Sequence, residues 1–335
     1  SGNHHAVGQA LDIIQNADRS TAFQSVSAKF FAIPTDQKLA SLYDNLSGEG
    51  ASGDAQTALA ADDLFITTTA GQLAAWRRGE TVNSMVTARG PRLWAAGYGG
   101  GGALSGRPQD NSADLGYRGG GLAAGLEQSF GAGAVAGLAL GLDSSSFDIV
   151  AEGGSGQANA VHGAGYGAAR TGRLYGLGLV EGDFFGLTTD RAFSALGAWE
   201  QYHGYTHATS FSARAEVGYG VDAGPAALSL FAAVQTSTLW TDGYAETTRS
   251  GPDLFALSFA PRDTPSVVTD LGFQIEPRSA GGEVRPFVRL AWRHQFDPAR
   301  GVTPTFAALA GATPFDIVAA PAASDLARVE TGLDW

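Results

Sequence analysis

Six histidines and thirty-three carboxylates, with no cysteine, set the side-chain chemistry open to this chain of 335 residues. Without a thiol there is no disulfide, no thiolate metal site and no Cys nucleophile. An activated serine of the Gly-x-Ser-x-Gly kind is also missing from the sequence. Asp190, His203 and His207 are the set best suited to activating water. They fall in what reads as a long connection between two strands, where solvation is the commoner role. His4 and His5 are adjacent and point to different sides of a helix, so they form no metal site by themselves. Gly131-Ala132-Gly133-Ala134-Val135-Ala136 imitates a dinucleotide fingerprint. The residues after it alternate as a strand into Asp143, so no helix N-terminus waits for a phosphate. No catalytic, cofactor-binding or metal-ligating residue is expected.

A different set of charges is more telling. Between Phe211 and Val221, Phe211, Ala213, Ala215, Val217, Tyr219 and Val221 alternate with Ser212, Arg214, Glu216, Gly218 and Gly220. Side chains on a strand point alternately to its two faces, so one face is apolar and the other polar. The same division places Asp270, Gln274 and Glu276 opposite Val267, Leu271, Phe273 and Ile275, and Arg289 and Arg293 opposite Val288, Leu290 and Trp292. With Arg328 and Glu330, these residues are expected to face the lumen of a barrel. There, opposite charges on neighbouring strands pair across the wall and line a polar pore.

The elements that carry them fall into two regimes. Residues 3–79 read as helical: Val7, Ala10, Leu11 and Ile14 share one face; Leu39, Leu42, Tyr43 and Leu46 share another that ends at Gly48. Ser52 or Asp54 caps a third helix running to about Trp76. Gly79 and Pro91 bracket the change of regime. Strands are then expected near 92–102, 117–130, 133–147, 158–170, 173–187, 208–221, 225–240, 265–277, 283–296 and 324–335. Their connections alternate. The tight ones are Gly131-Ala132, Thr171-Gly172, Asp222-Ala223-Gly224 and Arg278 to Gly282; the long ones fall between them. Short periplasmic turns alternating with long external loops, on strands longer than those of soluble sheets, describe a transmembrane barrel.

Composition agrees. Hydrophobic residues make up 44% of the chain and charged residues 16%, which excludes disorder. No uncharged apolar run is long enough for a membrane helix, so a membrane role must come through strands. The net charge of −12 argues against nucleic acid as a partner. Ser1-Gly2-Asn3-His4-His5 has no basic region followed by an apolar core, so an exported barrel is expected to have further residues upstream.

In order along the chain, the segments Leu93 to Gly99, Gly119 to Glu127, Gly137 to Asp148, Tyr166 to Arg170, Trp292 to Phe296 and Val329 to Asp334 resemble the strands of the autotransporter β-domain family. Ala10-Leu11-Asp12 and Leu46-Ser47-Gly48-Glu49 resemble the helical segment that precedes the barrel in one branch of it. The resemblance implies an all-β fold, an antiparallel transmembrane β-barrel of twelve strands threaded by an N-terminal helix. Residues 1–90 are then linker and pore plug, and 91–335 the barrel. Ten strands are legible, so the last two are expected to be missing; the rival is a complete ten-stranded barrel ending on the aromatic Trp335. The implied function is an outer-membrane translocator, not an enzyme, that anchors and assists export of an N-terminal passenger. Its implied partners are lipid, the passenger, the barrel-assembly machinery and periplasmic chaperones, and it is expected to be a monomer. A barrel hydrolase and a diffusion porin are the alternatives. Some family members sever the passenger inside the pore, for which Asp62, Asp63 and Asn83 are the candidates, although capping and solvation suit them better.

Overall fold

The computed structural model describes residues 2–17, 21–30, 32–73, 76, 90–131, 133–149, 154–193, 199–251, 253–277 and 285–334. Four helices come first: α1 (Gly2–Ala17), α2 (Thr21–Phe30), α3 (Asp36–Ser47) and α4 (Ala51–Gly71). The apolar spacing singled out in the sequence becomes the buried face of α1, with Val7, Ala10, Leu11 and Ile14 inside. At the start of α3, Thr35 Oγ1 accepts a hydrogen bond from the Lys38 N–H; at its end Gly48 takes the left-handed conformation that glycine adopts without cost. Two details depart from expectation. α2, whose Phe23, Val26 and Phe30 share one face, went unforeseen, and α4 begins after Gly50 with no side-chain cap, so neither Ser52 nor Asp54 caps it.

The ten long strands are β1 (Arg92–Leu104), β2 (Leu115–Phe130), β3 (Ala134–Ile149), β4 (Gly154–Thr171), β5 (Leu174–Phe193), β6 (Glu200–Ala223), β7 (Ala226–Thr241), β11 (Arg262–Pro277), β12 (Arg285–Gln295) and β16 (Asp325–Asp334). Each pairs antiparallel with the next in a single curled sheet, with β1 and β16 at the ends of the path. At the tight turns Gly131, Gly172 and Gly224 have φ of 66°, 59° and 67°, the positive values that close hairpins call for. The turn expected at Arg278 to Gly282 lies outside the described residues.

The long connections hold structure of their own: β8 (Tyr244–Ala245), β9 (Thr247–Ser250), β10 (Leu257–Phe259), β13 (Gly301–Val302), β14 (Pro304–Phe306) and β15 (Ile317–Val318). β8, β10 and β14 form one small sheet, β13 and β15 another, and β9 extends the edge of β6. β5 and β6 reach 20 and 24 residues, much longer than the sequence suggested. Their outer ends carry polar outward residues such as Thr188, His203 and Thr209, so the alternation that marks a lipid-facing strand fades there while backbone pairing continues.

On the outside of the sheet, Leu122, Leu138 and Val329 are 71%, 67% and 64% exposed, and Leu140, Val180, Phe211, Val217 and Leu271 are exposed with them. So large a continuous apolar surface is foreign to a water-soluble monomer and is the outward band of a membrane barrel. Tyr205, Trp240 and Phe296 border it towards the long connections, and Phe130 and Tyr219 towards the tight turns. These are the positions of interfacial aromatic girdles.

Inside, α4 packs against β1, β2, β3, β4, β5 and β7. At the mouth above it, α1, α2 and α3 share an apolar core with the long connections, built on Ile14, Phe23, Leu42, Leu46, Phe255, Leu257, Phe306 and Ile317. A plugged barrel interior thus carries a small folded cap.

Candidate functional site

The interior is organised along α4. Near its start Ala55, Ala58 and Leu59 meet Ala158, Phe185, Leu187 and Leu239 in one apolar collar. Towards its end Phe65, Ile66 and Ala70 meet Trp94, Tyr166, Tyr175 and Leu177 in a second. Small residues let the helix sit close: a Cβ at Gly53 would meet the Phe147 ring at 2.4 Å, and one at Gly141 the Phe65 ring at 2.5 Å.

Between the collars are Asp62 and Asp63. Neighbouring residues project about 100° apart on a helix, so this pair reaches different walls. Asp63 accepts from Arg328 on β16 and lies 2.9 Å from Arg293 Nη1 on β12. From there a chain of ion pairs crosses the wall. Arg293 Nε donates to Asp270 Oδ1 at 2.7 Å, Arg214 Nη1 to Asp270 Oδ2 at 2.7 Å, and Arg214 Nη2 and Arg289 Nη2 to Glu216 Oε2 at 3.1 and 2.6 Å. Arg328 Nε closes the far end on Glu330 Oε1 at 2.7 Å. The four guanidiniums (Arg214, Arg289, Arg293, Arg328) meet four carboxylates (Asp63, Glu216, Asp270, Glu330), so these eight charges balance within one connected network.

Asp62 faces the other half. Its Oδ2 accepts from Ser212 Oγ at 2.6 Å and Ser237 Oγ at 2.9 Å, while Ser210 donates to Asp183 and lies 3.4 Å from Asp62 Oδ1. His162 Nδ1 is 2.8 Å from Asp183 Oδ1 and 3.2 Å from Glu181 Oε1. Nothing in the local sequence flagged His162, Glu181 or Asp183, because each sits singly on an alternating strand. They are brought together by the β4–β5 register, which pairs His162 with Asp183 and Ala164 with Glu181.

A sequence model of the autotransporter β-domain matches residues 93–335. The chain belongs to the autotransporter β-domain family. No curated protein sequence matches it. Among solved structures, the translocator domain of the autotransporter NalP from Neisseria meningitidis is similar, with a TM-score of 0.55 at 15% identity over 73% of this chain and 86% of that one. The β domain of the Bordetella autotransporter BrkA is similar over 73% of this chain and 99% of that one, at 14% identity and a TM-score of 0.47. This autotransporter β-domain is therefore an outer-membrane translocator, and the apolar band of its sheet is the lipid contact.

In this translocator domain the sheet buries most of the residues expected to line the pore. Arg214, Glu216, Asp270, Gln274, Glu276, Arg289 and Arg293 are buried within the sheet, and Arg328 and Glu330 are partly so. Gln274 Nε2 donates to Glu276 Oε1, and Arg289 also stacks 3.6 Å from the Phe231 ring centroid. Asp190, His203 and His207 stand differently from expectation: they are on the outer ends of β5 and β6, not in a loop. Asp190 and His203 are directly paired at 2.9 Å, whereas His207 is four residues further along and bonds Tyr205. They do not converge on one point. His4 bonds Asp44 of α3 rather than joining His5. Gly131 ends β2 in a hairpin turn and β3 comes next, as the strand-like alternation required. Asn83 lies outside the described residues.

Where the cap joins the plug, Glu49 acts as a latch. Its carboxylate accepts from the Ala113 N–H at 3.1 Å and lies 3.5 Å from Asn3 Nδ2. Burial pushes this carboxyl up to about 8, in spite of the Ala113 and Ala320 N–H groups aimed at it, and the Asp44 charge adds to the rise.

Proposed function

We propose that this chain exports a polypeptide joined to its N-terminus, with α4 marking the path that polypeptide takes. The observation that carries the reading is the course of the chain. It is folded as α1–α3 at the mouth, enters the interior as α4, and continues at the tight-turn end as β1. Short turns belong to the periplasmic side, so whatever precedes α1 is on the cell-surface side. Residues 1–90 are the linker and plug, and 91–335 the membrane anchor.

Arg214, Glu216, Asp270, Gln274, Glu276, Arg289, Arg293, Arg328 and Glu330 line the pore and hold the plug by charge. The domain acts without catalysis, as befits a transport unit in which His207 stands apart from the outer Asp190–His203 pair. It works as a monomer inserted by the barrel-assembly machinery, after periplasmic chaperones have kept it unfolded. The test is a folded-tag fusion: a signal peptide and an epitope joined ahead of Ser1, expressed in a Gram-negative cell. Export predicts epitope accessible to antibody and protease on intact cells. An inserted, heat-modifiable barrel with its epitope confined to the periplasm overturns the reading.

A further inference from the structure

The two halves of the interior are charged unequally. Asp63, Glu216, Asp270 and Glu330 each have a guanidinium partner, but no Arg or Lys pairs with Asp62, Glu181 or Asp183 among the described residues. Glu181 and His162 are 2% and 1% exposed. One imidazole faces two carboxylates directly, with a third held through Ser210. Such a cluster in a low-dielectric interior is neutralised by taking up protons or by holding a positive partner.

A second observation indicates the partner. Glu181 Oε2 is buried with no hydrogen-bond donor, although its sister oxygen is 3.2 Å from His162 Nδ1, so the idle oxygen belongs to the same cluster. Asp143 Oδ2, one inward position along the adjoining β3, is equally unpartnered. From these observations we propose that His162, Glu181 and Asp183 form a binding site for a divalent transition-metal cation inside the barrel.

Coordination chemistry supports this. One imidazole nitrogen and two carboxylate oxygens are ligands of Zn2+ and its neighbours, and the three ligand atoms lie within 4.8 Å of one another. Tetrahedral Zn2+ with ligands at about 2.0–2.1 Å spaces them by roughly 3.3 Å. Glu181 Oε1 is already close to that distance from His162 Nδ1, and Asp183 Oδ1, at 2.8 Å, has to retreat by about half an ångström. The surroundings hold the ligands in place. Ser210 donates to Asp183 Oδ2, Phe65 stacks on the His162 ring at 4.8 Å and 14°, and Phe185 meets its edge. Such outer contacts orient ligands and keep water away. Because Phe65 and Asp62 belong to α4, a bound ion ties the plug to β4 and β5.

The test uses the full chain, unfolded in urea and refolded into detergent with excess Zn2+ or with chelator, then desalted and analysed for metal. His4→Ala, His203→Ala and His294→Ala are present throughout to remove the three outer His–Asp pairs. About one tightly held equivalent per folded chain is expected. It should fall at least roughly tenfold in the isosteric variants Glu181→Gln and Asp183→Asn. Refolding with Co2+ should give the visible absorption of a low-coordinate site. Folding of each variant is checked by its heat-modifiable gel mobility. A folded wild type that retains no Zn2+ and shows no Co2+ band overturns the proposal, and so does equal retention in folded Glu181→Gln and Asp183→Asn. Should neither variant fold, the wild-type stoichiometry and Co2+ spectrum decide it alone.

Discussion

Asp270 answers two guanidiniums, Arg214 and Arg293, and no other carboxylate lies close enough to take both. Removing Asp270 leaves Arg214 only Glu216, which Arg289 already holds, and Arg293 only Asp63, which Arg328 already holds. Asp270→Ala is therefore expected to destabilise the folded barrel by about 3–5 kcal/mol, seen as a lower urea midpoint in detergent micelles. A drop of less than about 1 kcal/mol would mean that water already reaches the chain of ion pairs. These charges were readable in the sequence because strand alternation alone fixes which face a residue takes. The His162 cluster was not readable, since its members are about twenty residues apart and only register joins them. Glu49 was hidden for a similar reason: it seals a contact with Ala113 and Asn3 that no local pattern announces.

Its carboxyl gives a pH dependence at the same scale. The folded value, about 8, is above the ordinary 4.5 of the unfolded chain, so the folded cap binds the proton more tightly. The resulting stability is fully present below about pH 4.5 and is lost as pH rises through about 8, amounting to a few kcal/mol. Protease sensitivity of α1–α3 should then increase from pH 6 to pH 9 in the wild type. Glu49→Gln, which keeps an acceptor for Ala113 but cannot ionise, should flatten that profile; an unchanged profile removes Glu49 as its source.

At the scale of elements, α4 is fixed by shape as much as by charge. Any side chain at Gly53 meets the Phe147 ring, and overpacking of this kind costs about 1–3 kcal/mol. Gly53→Leu should hold α4 out of its seat, giving larger or noisier single-channel conductance in planar bilayers than the wild type. Conductance equal to the wild type would show that Phe147 swings aside. The elements themselves were legible wherever one period dominated, two residues for the strands and three to four for α1 and α3. α4, packed all round, has no such stripe and was legible from its helix-forming residues instead, whereas α2, although Phe23, Val26 and Phe30 share one face, is short and was passed over. The short strands of the cap also escaped notice, because two or three residues are too few to show alternation.

For the whole molecule, the cap and the plug make separate contributions. α1–α3 pack on the outer connections, whereas α4 reaches both ends of the sheet: Leu64 Cδ2 is 3.0 Å from the Cβ position at Gly100 on β1, and Asp63 pairs with Arg328 on β16. One helix thus bridges the two strands that end the path, and its Phe65 and Ile66 each contribute roughly 1.5–3 kcal/mol by burial. Deleting residues 2–47 should leave conductance and thermal midpoint close to those of the full chain, because every contact of α4 below the cap persists. Deleting residues 2–71 should raise conductance several-fold and also lower the thermal midpoint, since the ends of the sheet lose the helix they share and Arg328 loses Asp63. Bilayer recordings and melting in detergent separate the two roles. Raised conductance with an unchanged midpoint would make α4 a stopper only, while a lowered midpoint makes it part of the wall's own stability, so that seating the plug and closing the barrel are one folding event.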